Sequence, residues 1–239
     1  MDTIIIKVKN GNEAKERIAS ADALKIKDAK ERLVSIGEAA EAAGEILQNG
    51  GIVAFPTDTV YGLGAIYSDA AAVQKIFAAK GRPENKPLSI LVSDIDQVKL
   101  LAANVSEAAV KLMKKYWPGA LTLIFHKNEA ANIPDEVTAG GQTIGVRMPD
   151  NELAVRIIAA AGAPLAAPSA NLSGKRSASA GSEVIEDLDY RIDLIVDAGA
   201  CPIGLSSTVI DITGENIKIL REGVVTRSMI EETSGMKVM

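Results

Sequence analysis

Short apolar runs alternate with longer amphipathic segments along the first two thirds of the chain. Short runs rich in β-branched or apolar residues, bounded by glycine, proline or polar residues, are typical of buried strands. This pattern predicts strands over Thr3–Val8, Ile52–Phe55, Leu88–Val92, Ala120–Phe125, Thr143–Met148, Leu165–Ala167, Asp193–Asp197, Ser207–Ile212 and Asn216–Leu220.

Segments with apolar residues at every third or fourth position predict helices between these strands. Ser35 followed by Glu38 is a capping-box signature, and it predicts a helix that ends at the glycines after residue 49. Ser68 and Asp69 can cap a helix that ends near Lys80 and Gly81. Further helices are predicted from Asp94, over Ser106–Tyr116 and over Asn151–Ala161.

Residues 10–34 are rich in charged and helix-forming residues, and their apolar positions are sparse. This composition predicts a helical extension on the surface of the protein.

Helices and strands alternate up to Asn171, whereas strands cluster after it. Alternation favours parallel strand pairs, and closely spaced strands favour antiparallel ones. We therefore predict an α/β fold with a mixed sheet. No linker marks a domain boundary, so we predict a single domain over residues 1–239.

The composition is that of a globular protein, with 47% hydrophobic and 24% charged residues. A net charge of −5 argues against a protein that coats nucleic acid nonspecifically, and it fits small anionic ligands better. The sequence offers no apolar run long enough to cross a membrane and no signal-peptide pattern, so we expect a cytoplasmic protein.

The single cysteine and the single histidine leave no Cys/His cluster for zinc. Any metal ion is therefore expected to take oxygen ligands, including phosphates. Cys201 precedes a proline and is interpreted as a packed thiol, and His126 as structural or exposed.

Two polar loops carry the candidate chemistry. The first lies in GGIVAFPTDTVYGLGA, residues 50–65, where an apolar strand breaks at Pro56 into a loop suited to wrapping a ligand. The second, Pro168–Gly181, is rich in serine and follows a buried-looking strand, where ligands often bind in α/β sheets. A flexible surface loop is the alternative interpretation of the second segment.

Three cations are further candidates for binding an anion. Lys80 and Arg82 follow a predicted helix and could instead solvate its end. Arg147 interrupts an apolar strand, where a buried partner or an anionic ligand must compensate its charge.

Seven motifs together resemble the YrdC/Sua5 family of threonylcarbamoyl-AMP synthases. They are GGIVAFPTDTVYGLGA, KGRPENKPLSILV, YWPGALTLIF, TIGVRMP, AAPSANLSG, SSTVIDI and ILREG, and they span about residues 36–226. The resemblance implies a YrdC-like fold, a twisted mixed sheet flanked by helices with a large basic cavity.

The resemblance also implies an activity. The family joins L-threonine, bicarbonate or CO₂, and ATP into L-threonylcarbamoyladenylate and pyrophosphate. The product serves a separate tRNA threonylcarbamoyltransferase, so transient contact with tRNA is possible. Mg²⁺ is expected to accompany ATP, held mainly by phosphates and water.

Residue roles follow from the matched motifs. The resemblance implies catalytic roles for Lys80, Arg82, Ser169 and Asn171. It implies L-threonine contacts from Thr57, Ser89, Arg147, Ser169 and Ser207, where Ser89 stands in place of a histidine found in some members. It implies ATP contacts from Lys80, Arg82, Thr143, Asn171, Ser177 and Arg221.

Two other functions remain open at this point. The same fold could serve as an RNA-binding module, although the acidic composition and 3% aromatic residues argue against it. It could also form carbamoyladenylate from carbamoyl phosphate, as related domains of larger proteins do.

Overall fold

The computed structural model describes residues 3–8 and 31–239. Its strands are β1 (Ile4–Val8), β2 (Glu31–Val34), β3 (Val53–Phe55), β4 (Gly62–Ile66), β5 (Ser89–Leu91), β6 (Leu121–His126), β7 (Thr143–Arg147), β8 (Leu165–Ala166), β9 (Leu194–Asp197), β10 (Thr208–Asp211) and β11 (Lys218–Arg221). Its helices are α1 (Ile36–Gln48), α2 (Ala70–Lys80), α3 (Asp96–Leu101), α4 (Glu107–Tyr116), α5 (Asp135–Thr138), α6 (Glu152–Ala161), α7 (Gly181–Leu188) and α8 (Arg227–Ser234), with a 3-10 turn over Glu129–Ala131.

The described strands form one sheet in the order β11-β10-β6-β7-β5-β8-β4-β3-β9-β1-β2. Strand β9 pairs in parallel with both β1 and β3, and β5 pairs in parallel with β7. Strand β4 is antiparallel to both β3 and β8. The predicted α/β fold with a mixed sheet is therefore confirmed.

Apolar residues pack against both faces of the sheet. Along β3, Val53 and Phe55 join one buried cluster, with α1 and α6, whereas Ala54 joins the other, with α2 and α4. This alternation follows from the two-residue period of a strand, which sends successive side chains to opposite faces.

Local capping signals position the predicted helices. The Ser35 side chain accepts a hydrogen bond from the Glu38 N–H, and the Glu38 carboxylate accepts one from the Ser35 N–H, which completes the capping box. Asp69 caps α2, and Gly81 ends it in the left-handed conformation, with φ of 59°. Lys80 therefore lies in the last turn of α2, at the edge of the second polar loop.

The helical prediction for residues 10–34 is wrong at its C-terminal end. Residues 31–34 form β2, which pairs in parallel with β1 and brings Val8 opposite Val34. Pairing with the open edge of β1 outweighs the helix propensity of the segment. Residues 10–30 lie outside the described part of the chain.

The glycine-rich end of the first loop is also structured. The sequence interpretation treated the whole segment after Pro56 as loop, but Gly62–Ile66 forms β4 beside β3. Glycine serves a packing role here, because a Cβ at Gly64 would lie 2.8 Å from Cε1 of Phe55. Helices α5, α7 and α8 were not predicted either.

Among the described residues, no helix is long and apolar enough to span a bilayer.

The close contact between α1 and α6 generates a stability prediction. A Cβ at Gly44 would lie 2.7 Å from the Ala160 Cβ and 2.8 Å from the Ala160 carbonyl carbon. We expect Gly44→Ala to lower the free energy of unfolding by about 1–3 kcal/mol, because the two helix backbones must separate. Gly37→Ala in the same helix is the matched control, since nothing lies within 4 Å of its Cβ position. Urea unfolding of both variants measures the difference, and equal stabilities would contradict the prediction.

Candidate active site

One cavity lies where the two predicted loops meet. Its volume is about 380 Å³, which is within the range of small-molecule sites. The loop between β3 and β4, the end of β7, the start of the second polar loop and the segment before β10 contribute to its wall. The predicted site residues that line it are Thr57, Arg82, Ser89, Thr143, Arg147, Ser169, Ser207 and Arg221.

Three predicted residues are not part of this wall. Lys80 and Asn171 are buried behind it, and Ser177 lies farther along the second loop. Thr59, Tyr61, Thr122 and Asp211 line the cavity but were not among the candidates from the sequence. Thr59 is in the same PTDT motif as Thr57, so the motif already contained a signal for that residue.

The hydroxyl group of Thr57 is fully engaged within its own loop. It donates to the Val60 carbonyl oxygen at 2.7 Å and accepts from the Thr59 N–H at 3.1 Å. It is also 3.0 Å from the Thr59 hydroxyl oxygen. Because the single Thr57 proton points to Val60, the Thr59 hydroxyl must be the donor in that contact. Thr57 therefore shapes the loop through its hydroxyl.

The Arg147 side chain is held by three groups from two separate segments. Its Nε donates to the Gly119 carbonyl oxygen at 2.9 Å, and its Nη1 donates to the Thr59 hydroxyl at 2.7 Å. Its Nη2 donates to Asp58 Oδ1, and this ion pair is almost completely buried. Of the two explanations that the sequence left open for Arg147, a buried partner or an anionic ligand, the structure shows a buried partner, Asp58, while the guanidinium still borders the cavity.

Main-chain hydrogen bonds join the first loop to the second. The Tyr61 N–H donates to the Ala178 carbonyl at 2.8 Å, and the Ala170 N–H donates to the Tyr61 carbonyl at 2.8 Å. The Leu63 N–H donates to the Pro168 carbonyl at 2.9 Å. Loop flexibility, the alternative interpretation of the second segment, does not fit these contacts.

Lys80 holds the second loop in place from the protein interior. Its ammonium group donates to the carbonyl oxygens of Ser169 and Asn171, and its own carbonyl accepts from the Ser173 N–H at 2.9 Å. Burial and the nearby charge of Arg82 lower the pKa of Lys80 to about 8, against the opposing effect of Asp187. Lys80 therefore carries its charge at neutral pH in an environment that disfavours it.

Side-chain contacts complete the second loop. The Ser169 hydroxyl donates to Asn171 Oδ1, and the Asn171 amide donates to the carbonyls of Leu172 and Lys175 at 2.8 and 3.0 Å. Asp187 on α7 accepts from the Leu172 N–H at 3.0 Å. The polar groups of Asn171 are thus used within the loop.

A network of Ser207, Arg221 and Thr122 forms another part of the cavity wall. Arg221 donates from Nε to the Ser207 carbonyl at 3.0 Å and from Nη2 to the Ser207 hydroxyl at 3.1 Å. The same hydroxyl is 2.9 Å from the Thr122 hydroxyl. Ser207 and Thr122 are buried, whereas Arg221 is exposed toward solvent.

Arginine dominates the charge of the cavity wall. Arg82, Arg147 and Arg221 line it, and Asp211 is the only carboxylate among the described lining residues. Arg82 donates to the carbonyls of Lys86 and Pro87, at 3.3 and 3.0 Å, which directs its guanidinium along the wall. This excess of positive charge is suited to an anionic ligand.

The remaining candidates agree with the sequence interpretation. Cys201 is buried, and desolvation raises its pKa to about 11, so the thiol is protonated and a poor nucleophile at neutral pH. His126 is exposed at the end of β6. No group of three or more potential metal-ligating side chains occurs in residues 3–8 and 31–239.

The lowered pKa of Lys80 predicts a pH-dependent stability. Between about pH 8 and the ordinary lysine value of about 10.4, the unfolded chain binds the proton and the folded protein does not, so stability rises with pH. We expect Lys80 to contribute an increase of about 2 kcal/mol between about pH 7.5 and about pH 10, and Lys80→Met to lack it. Urea unfolding at both values measures this contribution.

Lys75→Met is the control, because Lys75 is an exposed residue of the same helix. It should keep the wild-type pH dependence. An unchanged pH dependence in Lys80→Met would show that the ammonium group is not perturbed.

Comparison with known proteins places these motifs in a family. The family model Sua5_yciO_yrdC, described as "Telomere recombination", matches residues 45–223. Threonylcarbamoyl-AMP synthase of Bacillus subtilis (strain 168) is 47% identical over 193 residues, which are 81% of this chain and 56% of that protein. The Pyrococcus abyssi synthase is 45% identical over 194 residues, again 81% of this chain and 56% of that protein.

A solved structure shows the same fold. Pyrococcus abyssi Sua5 complexed with L-threonine superimposes with a TM-score of 0.83 at 39% identity, over 99% of this chain and 63% of that one. The chain thus spans little more than half the length of the two curated synthases. Because the family model covers most of the chain and the relatives match at these identities, the chain belongs to the Sua5/YrdC family.

Proposed function

We propose that this chain forms L-threonylcarbamoyladenylate and pyrophosphate from L-threonine, bicarbonate or CO₂, and ATP. The observation that carries the proposal is the cavity between the two loops, which has three arginines in its wall. The names of the B. subtilis and P. abyssi relatives, and the L-threonine bound by P. abyssi Sua5, agree with this choice.

The reaction joins two anions. The amine nitrogen of L-threonine bonds to the carbon of CO₂ and loses a proton, which gives a carbamate. A carbamate oxygen then attacks the α-phosphorus of ATP, and the bond from that phosphorus to the bridging oxygen breaks to release pyrophosphate. Alignment and charge neutralisation are the main requirements, because anionic nucleophile and polyphosphate repel each other.

We assign the three arginines of the wall to different substrates, L-threonine and ATP. Arg147, buried at the Asp58 end, has a planar guanidinium suited to the threonine carboxylate. Arg82 and Arg221 are assigned to the phosphates, with Thr143 beside them on the wall. Ser89 and Ser207 are assigned to threonine by the family resemblance, and both line the cavity.

The second loop acts as a preformed frame for the nucleotide. The ammonium of Lys80 and the amide of Asn171 hold the main chain of this loop, so we assign both to orienting Ser169, and the charge of Lys80 also to the positive potential behind it. Ser169 borders the cavity and can contact a ligand directly. Ser177, next to Ala178, is assigned to the outer nucleotide contact by the family resemblance.

Mg²⁺ is part of the proposal as the companion of ATP. The described wall offers one carboxylate, Asp211, whose Oδ1 already accepts from the Thr213 N–H and hydroxyl at 2.9 and 2.6 Å. Such a wall fits an ion that keeps phosphate and water ligands, with at most the second Asp211 oxygen. The ion would neutralise phosphate charge.

The product would pass to a tRNA threonylcarbamoyltransferase, with a possible transient contact to tRNA, and we place the reaction in the cytoplasm. Both statements depend on the proposed activity.

Pyrophosphate release tests the proposal. Purified protein with Mg-ATP, L-threonine and bicarbonate should release pyrophosphate, and omission of any one component should abolish the release. Release that needs carbamoyl phosphate in place of threonine would favour carbamoyladenylate formation. No release, together with RNA binding that weakens steeply with salt, would favour an RNA-binding module.

Arg82→Ala should lower kcat/KM for pyrophosphate release by about 100-fold or more, because it removes a preorganised charge from the polyphosphate side. Its circular dichroism spectrum should stay that of the wild type, since within the described residues the Arg82 side chain hydrogen-bonds only to carbonyls of its own loop. Arg156→Ala is the control, because Arg156 is an exposed residue that pairs with Glu152 on α6. Equal activity of the two variants would contradict the role of Arg82.

A further inference from the structure

We infer that Asp58 and Thr59 are positioning residues that set the affinity for the amino acid by fixing the orientation of Arg147. The inference rests on the proposed function, because it treats Arg147 as the group that receives the threonine carboxylate. It adds two residues whose effect passes through the guanidinium.

Arg147, Thr59 and Asp58 lie at different depths from the cavity. Arg147 and Thr59 line the cavity, whereas Asp58 does not, so the carboxylate lies behind the guanidinium as seen from the ligand. Asp58 and Arg147 expose only 5% and 7% of their side chains. A ligand therefore meets the Arg147 side chain, and Asp58 acts on it from the protein interior.

The bonds to Arg147 leave part of it available. A guanidinium has five N–H groups, and the described partners use one on Nε, one on Nη1 and one on Nη2. One N–H on each terminal nitrogen has no partner in the described part of the chain. Two such groups can receive the two oxygens of a carboxylate, provided that the plane of the guanidinium is fixed.

Asp58 is itself held in place. Its Oδ1 accepts a hydrogen bond from the Asp150 N–H at 3.2 Å, and its carbonyl oxygen accepts from the Ile203 N–H at 3.1 Å. The segment after β7 therefore holds the Asp58 carboxylate, and the segment before β10 holds the Asp58 main chain. Arg147 cannot swing toward the cavity without breaking a buried ion pair, which is costly.

Thr59 fixes the Nη1 side of the Arg147 guanidinium through a directed chain of hydrogen bonds. Arg147 Nη1 donates to the Thr59 hydroxyl, which donates to the Thr57 hydroxyl, which donates to the Val60 carbonyl. Each hydroxyl donates once and accepts at least once, so the direction of the chain is unambiguous. Removal of the Thr59 hydroxyl would interrupt it and leave Nη1 without this acceptor.

The test compares KM for the two substrates. Asp58→Asn should raise KM for L-threonine about 10-fold or more, because the charge-assisted bond to Nη2 is lost, and should leave KM for ATP within about 2-fold. Asp193→Asn is the matched control, since Asp193 accepts from the Ile52 N–H and does not line the cavity. Calorimetric titration with L-threonine should show the same loss of affinity in Asp58→Asn.

A second pair of variants decides the matter if Asp58→Asn does not fold. Thr59→Val keeps the shape of the side chain but loses the hydroxyl, and should raise KM for L-threonine about 3- to 10-fold. Thr59→Ser keeps the hydroxyl and should restore most of the affinity. If Thr59 acted only on the stability of the loop, both variants would be less stable, and their KM values for L-threonine would not differ in this way.

The outcomes separate the inference from the proposed function. Absence of threonine-dependent pyrophosphate release and of threonine binding in the wild type would refute the proposed function and the inference with it. An active wild type whose Asp58→Asn and Thr59→Val variants keep the wild-type KM for L-threonine, or lose affinity for ATP equally, would overturn the inference alone.

Discussion

Two buried cations determine how the loops around the cavity are arranged. Arg147 and Lys80 expose 6% and 2% of their surface, and a buried charge is tolerated only where ionic or hydrogen-bonding partners surround it. Arg147 takes its partners from Asp58, Thr59 and the carbonyl of Gly119. The first loop and the segment before β6 are far apart in the sequence, so the need to compensate one guanidinium fixes both of them relative to β7.

Lys80 is also a buried cation that needs partners, and it takes them from the second loop. Its ammonium group takes two carbonyl oxygens, from Ser169 and Asn171, out of water and holds them close together. The main-chain bonds of Tyr61 then join this loop to the first one. Most polar groups of the signature motifs therefore form hydrogen bonds with other groups of the protein. Preorganisation of this kind removes the cost of ordering the loops when a ligand binds.

The sequence predicted the parts of the fold that depend on local signals. The capping box at Ser35, the cap at Asp69 and the alternation of apolar runs gave most helices and strands to within a few residues. Strand β4 was missed because its glycines are typical of loops, although Gly64 is small to make room for Phe55. Residues 31–34 were predicted as helix because pairing with β1 is a long-range contact that local propensity cannot show.

The sequence could not show how the candidate site residues contact one another, and the reason is again that these contacts are long-range. The charge of Arg147 in an apolar strand indicated a buried partner or a ligand, but no spacing rule identifies Asp58, 89 residues away, as that partner. Likewise, Lys80 was assigned to phosphates, and its contacts with the carbonyls of Ser169 and Asn171 became visible only in three dimensions. Whether its remaining N–H reaches a phosphate stays a prediction, as does the single domain over residues 1–239.

Ion pairing divides the three arginines of the cavity wall into two kinds. Asp58 balances the charge of Arg147, so this buried pair is close to neutral. Within the described residues, Arg82 and Arg221 form no ion pair, so no contacting carboxylate balances their positive charges. On the proposed function, a zwitterionic amino acid suits the balanced arginine and a polyphosphate suits the other two, because each ligand then meets complementary charge. The carboxylate of Asp58 would thus set the net charge beside the amino acid as well as orient the arginine.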